Sequence, residues 1–331
     1  MALGAALAIG ACKPSSVGDA EAKGDVAWLD TEGSPAAVEA LGRLADTNPA
    51  AVTALQERSK FGVEAYIAAW GGVKRGAKWA SDLLHAGLQD PARANDVASA
   101  VEGRDPLIVP FLPDVEASLS RLAAGVATSS LAGVLAAAGP PSHDAVVRRL
   151  ADKTTRGAMC GGIASPNADA DARMALRNVP SSSRDDASCL GAVVMLAASD
   201  DAMMRWLAQV AEPGLLGAAS KSGTLDCVRM HRIWADALAA RDSTQAAALT
   251  VPLSSAVKRC PAQMDGVLAD ALKSRPDAQA AVIGALDPFS PDDSQLKATC
   301  AALPAIATGH ASPIAKERAA DAVAHGCKGA Q

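Results

Sequence analysis

From residue 34 to the end, apolar side chains fall three and four positions apart, the spacing of a single helix face. In residues 34–55, SPAAVEALGRLADTNPAAVTAL, Val38, Leu41, Leu44 and Ala45 form one such stripe. Asn48-Pro49 then restarts a helix: asparagine caps it, and proline takes the first position, where a missing N–H costs nothing. The same punctuation returns at Ser34-Pro35, Asp90-Pro91, Asp105-Pro106, Ser165-Pro166, Ser290-Pro291 and Ser312-Pro313. Ser183 with Asp186, and Ser290 with Asp293, have capping-box spacing. Further stripes run through Met203, Trp206, Leu207 and Val210, and through Met264, Val267, Leu268, Ala271 and Leu272. No alternating, β-branched run sits between turn signals. The pattern predicts an all-α chain.

Each of these short helices carries too little apolar surface to fold alone, so neighbouring pairs must stack to build a continuous core. AVEALGRLADTNPAAVTAL (37–55) and ERAADAVAHG (317–326) resemble units of the HEAT-repeat family, with a degenerate match between them and an inserted loop at 178–187. That resemblance implies a right-handed α-solenoid of stacked helical hairpins over residues 34–331. A compact helical bundle is the alternative.

The first residues carry a different message. ALGAALAIGA (2–11) is uncharged and apolar, too short to span a bilayer but of the length of a secretory signal's apolar region. Ile9-Gly10-Ala11-Cys12 resembles the lipobox of bacterial lipoproteins, although no basic residue follows Met1. The resemblance implies that residues 1–11 are a truncated, cleaved signal peptide and that Cys12 is acylated. Several acyl chains on one residue would hold the protein on a membrane. Lys13 stands where such lipoproteins retained in the inner membrane carry aspartate, which points to the outer membrane. Residues 12–33, small and charged around KPSSVGDAEAKGD, read as a lipidated cysteine followed by a flexible tether, with Trp28 and Leu29 placed to dock on the first helix. Such a tether would reach about 25 Å.

Composition narrows the options. Half the 331 residues are apolar, yet only 3% are aromatic, which suits an Ala/Leu/Val core of closely approaching helices. With 31 basic against 36 acidic residues the net charge is −5. The densest basic cluster of the first half, Lys74, Arg75 and Lys78, reads as a solvated helix face. Nucleic-acid binding, which needs a basic surface, is not expected.

Setting Cys12 apart leaves six cysteines, Cys160, Cys189, Cys227, Cys260, Cys300 and Cys327, an even number that fits disulfides in an oxidising compartment. Their successive gaps of 29, 38, 33, 40 and 27 residues are each about one helical hairpin. Cys189, Cys227 and Cys300 share stripes with large apolar residues. Fifteen pairings are possible; sequential pairing, 160–189, 227–260 and 300–327, would staple adjacent layers.

Chemistry is thinly represented. Ser255 and Lys258 have the Ser-x-x-Lys spacing of penicillin-recognising enzymes, but Lys221-Ser222-Gly223 precedes them instead of following, and no Ser-Asp-Asn element is present. Cys227 and His231, with Asp226 adjacent, have the spacing of a nucleophile pair, against which Cys227 has a disulfide role. Asn167, Asp169 and Asp171 alternate like the start of a calcium loop, yet Ala172 and Asn178 replace its glycine and glutamate, so they read as a helix's acidic first turn. His85, His143, His310 and His325 lack metal-binding spacing, and Tyr66, Trp70 and Trp79 read as core in preference to a contact patch. No cofactor or metal is expected. The expectation is therefore a lipid-anchored, periplasm-facing or surface protein of the bacterial envelope, not an enzyme, that binds a protein or peptide partner. The alternatives are a periplasmic serine hydrolase using Ser255 and Lys258, and a passive structural protein.

Overall fold

A computed structural model describes residues 13–122, 128–179, 187–210, 212–239, 247–286, 295–325 and 327. Among these residues there are 21 α-helices and no β-strand, so the chain is all-α. Cys12, the signal-like residues 1–11, and the Ser183/Asp186 and Ser290/Asp293 pairs lie outside the described residues. The chain divides into two compact units, Met1–Ala175 and Leu176–Gln331, where the sequence pattern suggested one repeat domain from residue 34.

The first unit corrects the tether. Helices α1 (Val17–Lys23) and α2 (Val26–Glu32) occupy the stretch expected to be flexible. Each is only seven residues long and is held by its ends. Ser16 Oγ accepts from Asp19 N–H, Asp25 Oδ1 accepts from Trp28 N–H, and Gly24 and Gly33 close the C-termini at φ 66° and 64°. Those are left-handed conformations that glycine adopts without penalty. Ala20 and Leu29 are fully buried, and both helices pack on α3 (Pro35–Leu44), with Trp28 half-buried.

Helices α4 (Pro49–Arg58), α5 (Glu64–Lys74), α6 (Lys78–Gln89), α7 (Ala94–Ala100), α8 (Leu112–Arg121), α9 (Ser129–Ala137), α10 (His143–Ala151) and α11 (Arg156–Ile163) follow. The next, α12 (Ala170–Arg177), crosses the division in sequence. Ser34 and Asn48 cap α3 and α4 as their Pro dipeptides predict. Asp105-Pro106 instead opens a 3-10 stretch, Pro106–Phe111, and Asp90-Pro91 and Ser165-Pro166 make turns a few residues ahead of their helices. Every substantial helix–helix contact in the unit joins helices one or two places apart along the chain. Helices α3, α5, α7, α9 and α11 form one row; α2 packs on α4, and α6 on α8, in a second. Tyr66 and Trp70 are core, as expected, and burial pushes the Tyr66 phenol pKa up.

The second unit follows the same plan. Its helices are α13 (Ala187–Ser199), α14 (Asp201–Val210), α15 (Pro213–Lys221), α16 (Cys227–Ala239), α17 (Thr250–Arg259), α18 (Pro261–Ser274), α19 (Gln279–Ala285), α20 (Lys297–Thr308) and α21 (Pro313–His325). One row runs α13, α15, α17, α19, α21, and the other α14, α16, α18, α20. The stripe on α18 is buried throughout. On α14 the buried face turns to Met203, Met204, Leu207 and Ala208, leaving Trp206 and Val210 half-buried.

Disulfides tie the hairpins. Cys227 bonds Cys260 and Cys300 bonds Cys327, with Cα separations of 5.5 and 5.4 Å. Cys160 and Cys189 are disulfide-bonded as well.

Candidate functional site

A cleft of the first unit lies between α7 and α9. Its volume is about 440 Å³, and its floor is made of small residues, Ala98, Gly133, Val134 and Ala137. Gly133 decides its shape: a Cβ placed there would meet no atom within 4 Å, so the missing side chain leaves open space. Ser99 Oγ and Ser130 Oγ face each other across the cleft at 3.2 Å, and Ser99 also reaches the Asn95 carbonyl at 2.8 Å. The rim is charged but internally paired. Lys74 Nζ lies 2.9 Å from Glu102, and the Arg104 guanidinium donates to the carbonyls of Asn167 and Pro166 at 2.9 and 3.2 Å. Hydroxyls over a small-residue floor can hold a chain's backbone at close range. Among the described residues, no general base is hydrogen-bonded to either serine.

The residues singled out from sequence are not brought together. Ser255 Oγ turns back to its own helix, donating to the Val251 carbonyl at 3.4 Å, while Lys258 is exposed one turn on. Ser222 Oγ is engaged with Thr224 N–H in the turn after α15. Cys227 sits in a disulfide, so no thiolate is there for the exposed His231 to stabilise, and Asp226 caps Arg229 N–H at 2.7 Å. Asp169 accepts from Asp171 N–H at 2.9 Å ahead of α12, the capping arrangement expected of that acidic turn. Among the described residues no group of three His, Cys, Asp or Glu is placed to hold a metal ion, and no helix is long and apolar enough to cross a membrane.

Lys74, Arg75 and Lys78 are exposed, as expected of a solvated face, and the first two are also paired: Arg75 donates to the Asp46 carboxylate at 2.6 Å and to the Gly42 carbonyl at 2.8 Å, while Lys74 pairs with Glu102. Together with a hydrogen bond from Trp79, Arg75 holds the Asp46 carboxyl below the usual carboxylate range. His85 is likewise engaged, with Nδ1 at 2.5 Å from Asp114 and its ring 4.6 Å from that of Phe111.

What the sequence pattern missed is a recurring arginine. Arg58, Arg93 and Arg121 donate to the carbonyls of Asp30, Lys60 and Leu88, and Arg75 to that of Gly42. In the second unit Arg229 reaches Ala197, Arg259 reaches Ser222 and Leu225, Arg275 reaches Leu238 and Ala239, and Arg318 reaches Ala280. The donor is 28 to 38 residues beyond its acceptor, one hairpin along. Most of these acceptors lie at or just past helix C-termini, where carbonyls lack intrahelical partners and the helix dipole favours a cation.

Comparison with models of protein families, with curated proteins and with solved structures finds no match to this chain.

Proposed function

We propose that this chain is a lipid-anchored protein of the bacterial envelope, placed at the outer membrane and facing the periplasm or the surface. Its stacked hairpins form right-handed α-solenoids that bind a protein or peptide partner without turnover. The observation that carries the reading is that, among the described residues, the substantial helix–helix packing joins near neighbours in the chain, combined with an open, Gly133-floored cleft on one row of helices. Packing of this kind builds long surfaces in place of a central pocket. The disulfides support an oxidising compartment. With α1 beginning at Val17, an anchor at Cys12 would hold the first unit within about 15 Å of the membrane, much closer than a free tether would.

The cleft offers a clean test. Gly133→Phe puts a large side chain into it from a position where a Cβ meets nothing within 4 Å, and removes a helix-weakening glycine. Protein carrying wild-type or substituted sequence is used to capture partners from envelope extracts by cross-linking. The reading expects a partner retained by wild type and lost with Gly133→Phe at unchanged melting temperature. Capture unaffected by the substitution overturns it. Intact-mass measurement on protein from the native host tests the anchor, through cleavage before Cys12 and the added acyl mass.

A further inference from the structure

A second cleft, in the C-terminal unit, has a different character. It lies between α18, the start of α19, and α20, has a volume of about 470 Å³, and is mainly apolar, with Leu272, Ala302 and Ile306 among its walls. That volume falls within the range of sites that hold small ligands, roughly 300–1,000 Å³. Two features are out of keeping with a packing defect.

The first is Gln279. It is a lining residue but only 8% exposed. Its Nε2 donates to the Leu272 carbonyl at 2.8 Å, which fixes which way round the amide sits, and its Oε1 is left buried with no hydrogen-bond partner among the described residues. A buried acceptor without a donor is a standing cost to the fold. The second feature is charge. Lys273 and His310 are the ionisable residues of the lining, and none of the ten lining residues is acidic, although acidic residues outnumber basic ones in the chain. Lys273 is exposed and makes no ion pair among the described residues.

An apolar wall, a buried acceptor and a cationic rim match one ligand chemistry in particular. We propose that this cleft receives the C-terminal end of a peptide. The last side chain would pack against Leu272 and Ile306, a backbone N–H would donate to Gln279 Oε1, and the free carboxylate would meet the Lys273 ammonium and a His310 ring N–H. The proposal deepens the binding role above, yet stands on residues in the other unit, so the two fail separately.

The probe is a fluorescein-labelled peptide, Gly-Ser-Gly-Ala-Leu, prepared with a free C-terminal carboxylate and again as the C-terminal amide. Anisotropy is followed with the intact, oxidised protein. The free acid is expected to bind at least fivefold more tightly than the amide. Lys273→Glu, on an exposed side chain in the last turn of α18, is expected to weaken the acid at least fivefold and leave the amide unchanged, with melting temperature measured alongside. Gln279→Leu is expected to weaken both, with melting temperature measured alongside. Equal binding of acid and amide, no binding of either up to millimolar peptide, or an acid affinity indifferent to Lys273→Glu overturns the proposal. Gly133→Phe should leave this binding intact. Envelope-partner capture that Gly133→Phe leaves unaffected, alongside normal peptide binding, would then sink only the first cleft, and capture lost with Gly133→Phe but no peptide binding only the second.

Discussion

Gly161 and Gly162 are neighbours on α11 and should respond to the same substitution in opposite directions. A Cβ on Gly161 meets nothing within 4 Å. A Cβ on Gly162 would lie 2.6 Å from the carbonyl carbon of Ala132, 2.7 Å from its oxygen and 2.9 Å from its Cβ. Two of those three atoms are backbone, which cannot swing aside as a flexible side chain would, so α9 and α11 must separate to accept it. Replacing glycine by alanine inside a helix gains about 0.5–1 kcal/mol through propensity at either site. Only Gly162→Ala also carries an overpacking cost of about 1–3 kcal/mol. The propensity gain is common to both variants, so the difference between them isolates the contact. For a unit of this size 1 kcal/mol moves the melting temperature by roughly 2–4 °C. Far-UV circular dichroism melts should therefore place Gly161→Ala slightly above wild type and Gly162→Ala clearly below it. Coincident melts would mean that the α9 and α11 backbones do not approach as described, and the odd-numbered row would lose its tightest contact.

Other perturbations test other parts of the packing. Reducing the disulfides should destabilise the second unit: loops of 33 and 27 residues correspond to about 3–4 kcal/mol each in the chain-entropy treatment, read as a drop in urea midpoint with dithiothreitol. Arg259→Met leaves the carbonyls of Ser222 and Leu225 without their shared donor and should cost about 1–3 kcal/mol. Arg259→Lys should recover only part of this, because an ammonium lacks the fork that serves two acceptors at once. Glu116 is held below its usual pKa by the Arg148 guanidinium, with Arg149 contributing. A depressed folded pKa means that the stability it gives is present above the unfolded value and is lost as pH falls through the folded one. Glu116→Gln should therefore flatten the fall in melting temperature between neutral pH and about pH 3, and an unchanged slope would contradict the pairing.

The helical class was legible because its signals are local. Ser34-Pro35, Asn48-Pro49 and Ser312-Pro313 each open a helix with the predicted cap. The pairs Cys227–Cys260 and Cys300–Cys327 were legible because a gap of one hairpin brings residues on packed stripes within reach. The first two helices were not. KPSSVGDAEAKGD has almost nothing to bury, and the fold there relies on end caps and on one buried residue per helix, Ala20 and Leu29, features invisible to composition. The clefts were hidden for a related reason. Gly133 and Gly162 look alike in sequence, yet one opens onto empty space and the other presses on a neighbouring backbone. Which role a glycine takes depends on the row its helix joins and on the face it presents, and neither is set within a single helix.

The arginines explain how helices with so degenerate an apolar pattern can still pack in regular rows. Alanine and glycine at the helix contacts let backbones come close, but each contributes little dispersion and little directional preference, so apolar stripes alone set the register between hairpins weakly. A guanidinium spanning from one hairpin to the carbonyls that end the previous one supplies what the stripes lack. It satisfies acceptors that would otherwise need water, it sits at the negative end of a helix dipole, and its fork demands a defined geometry. The interval from acceptor to donor is then set by the length of a hairpin and not by the identity of its core residues. That is why it stays between 28 and 38 residues in both units while the apolar pattern drifts. In an alanine-rich chain of this kind the register between packed helices is better sought in the spacing of its arginines than in its hydrophobic residues.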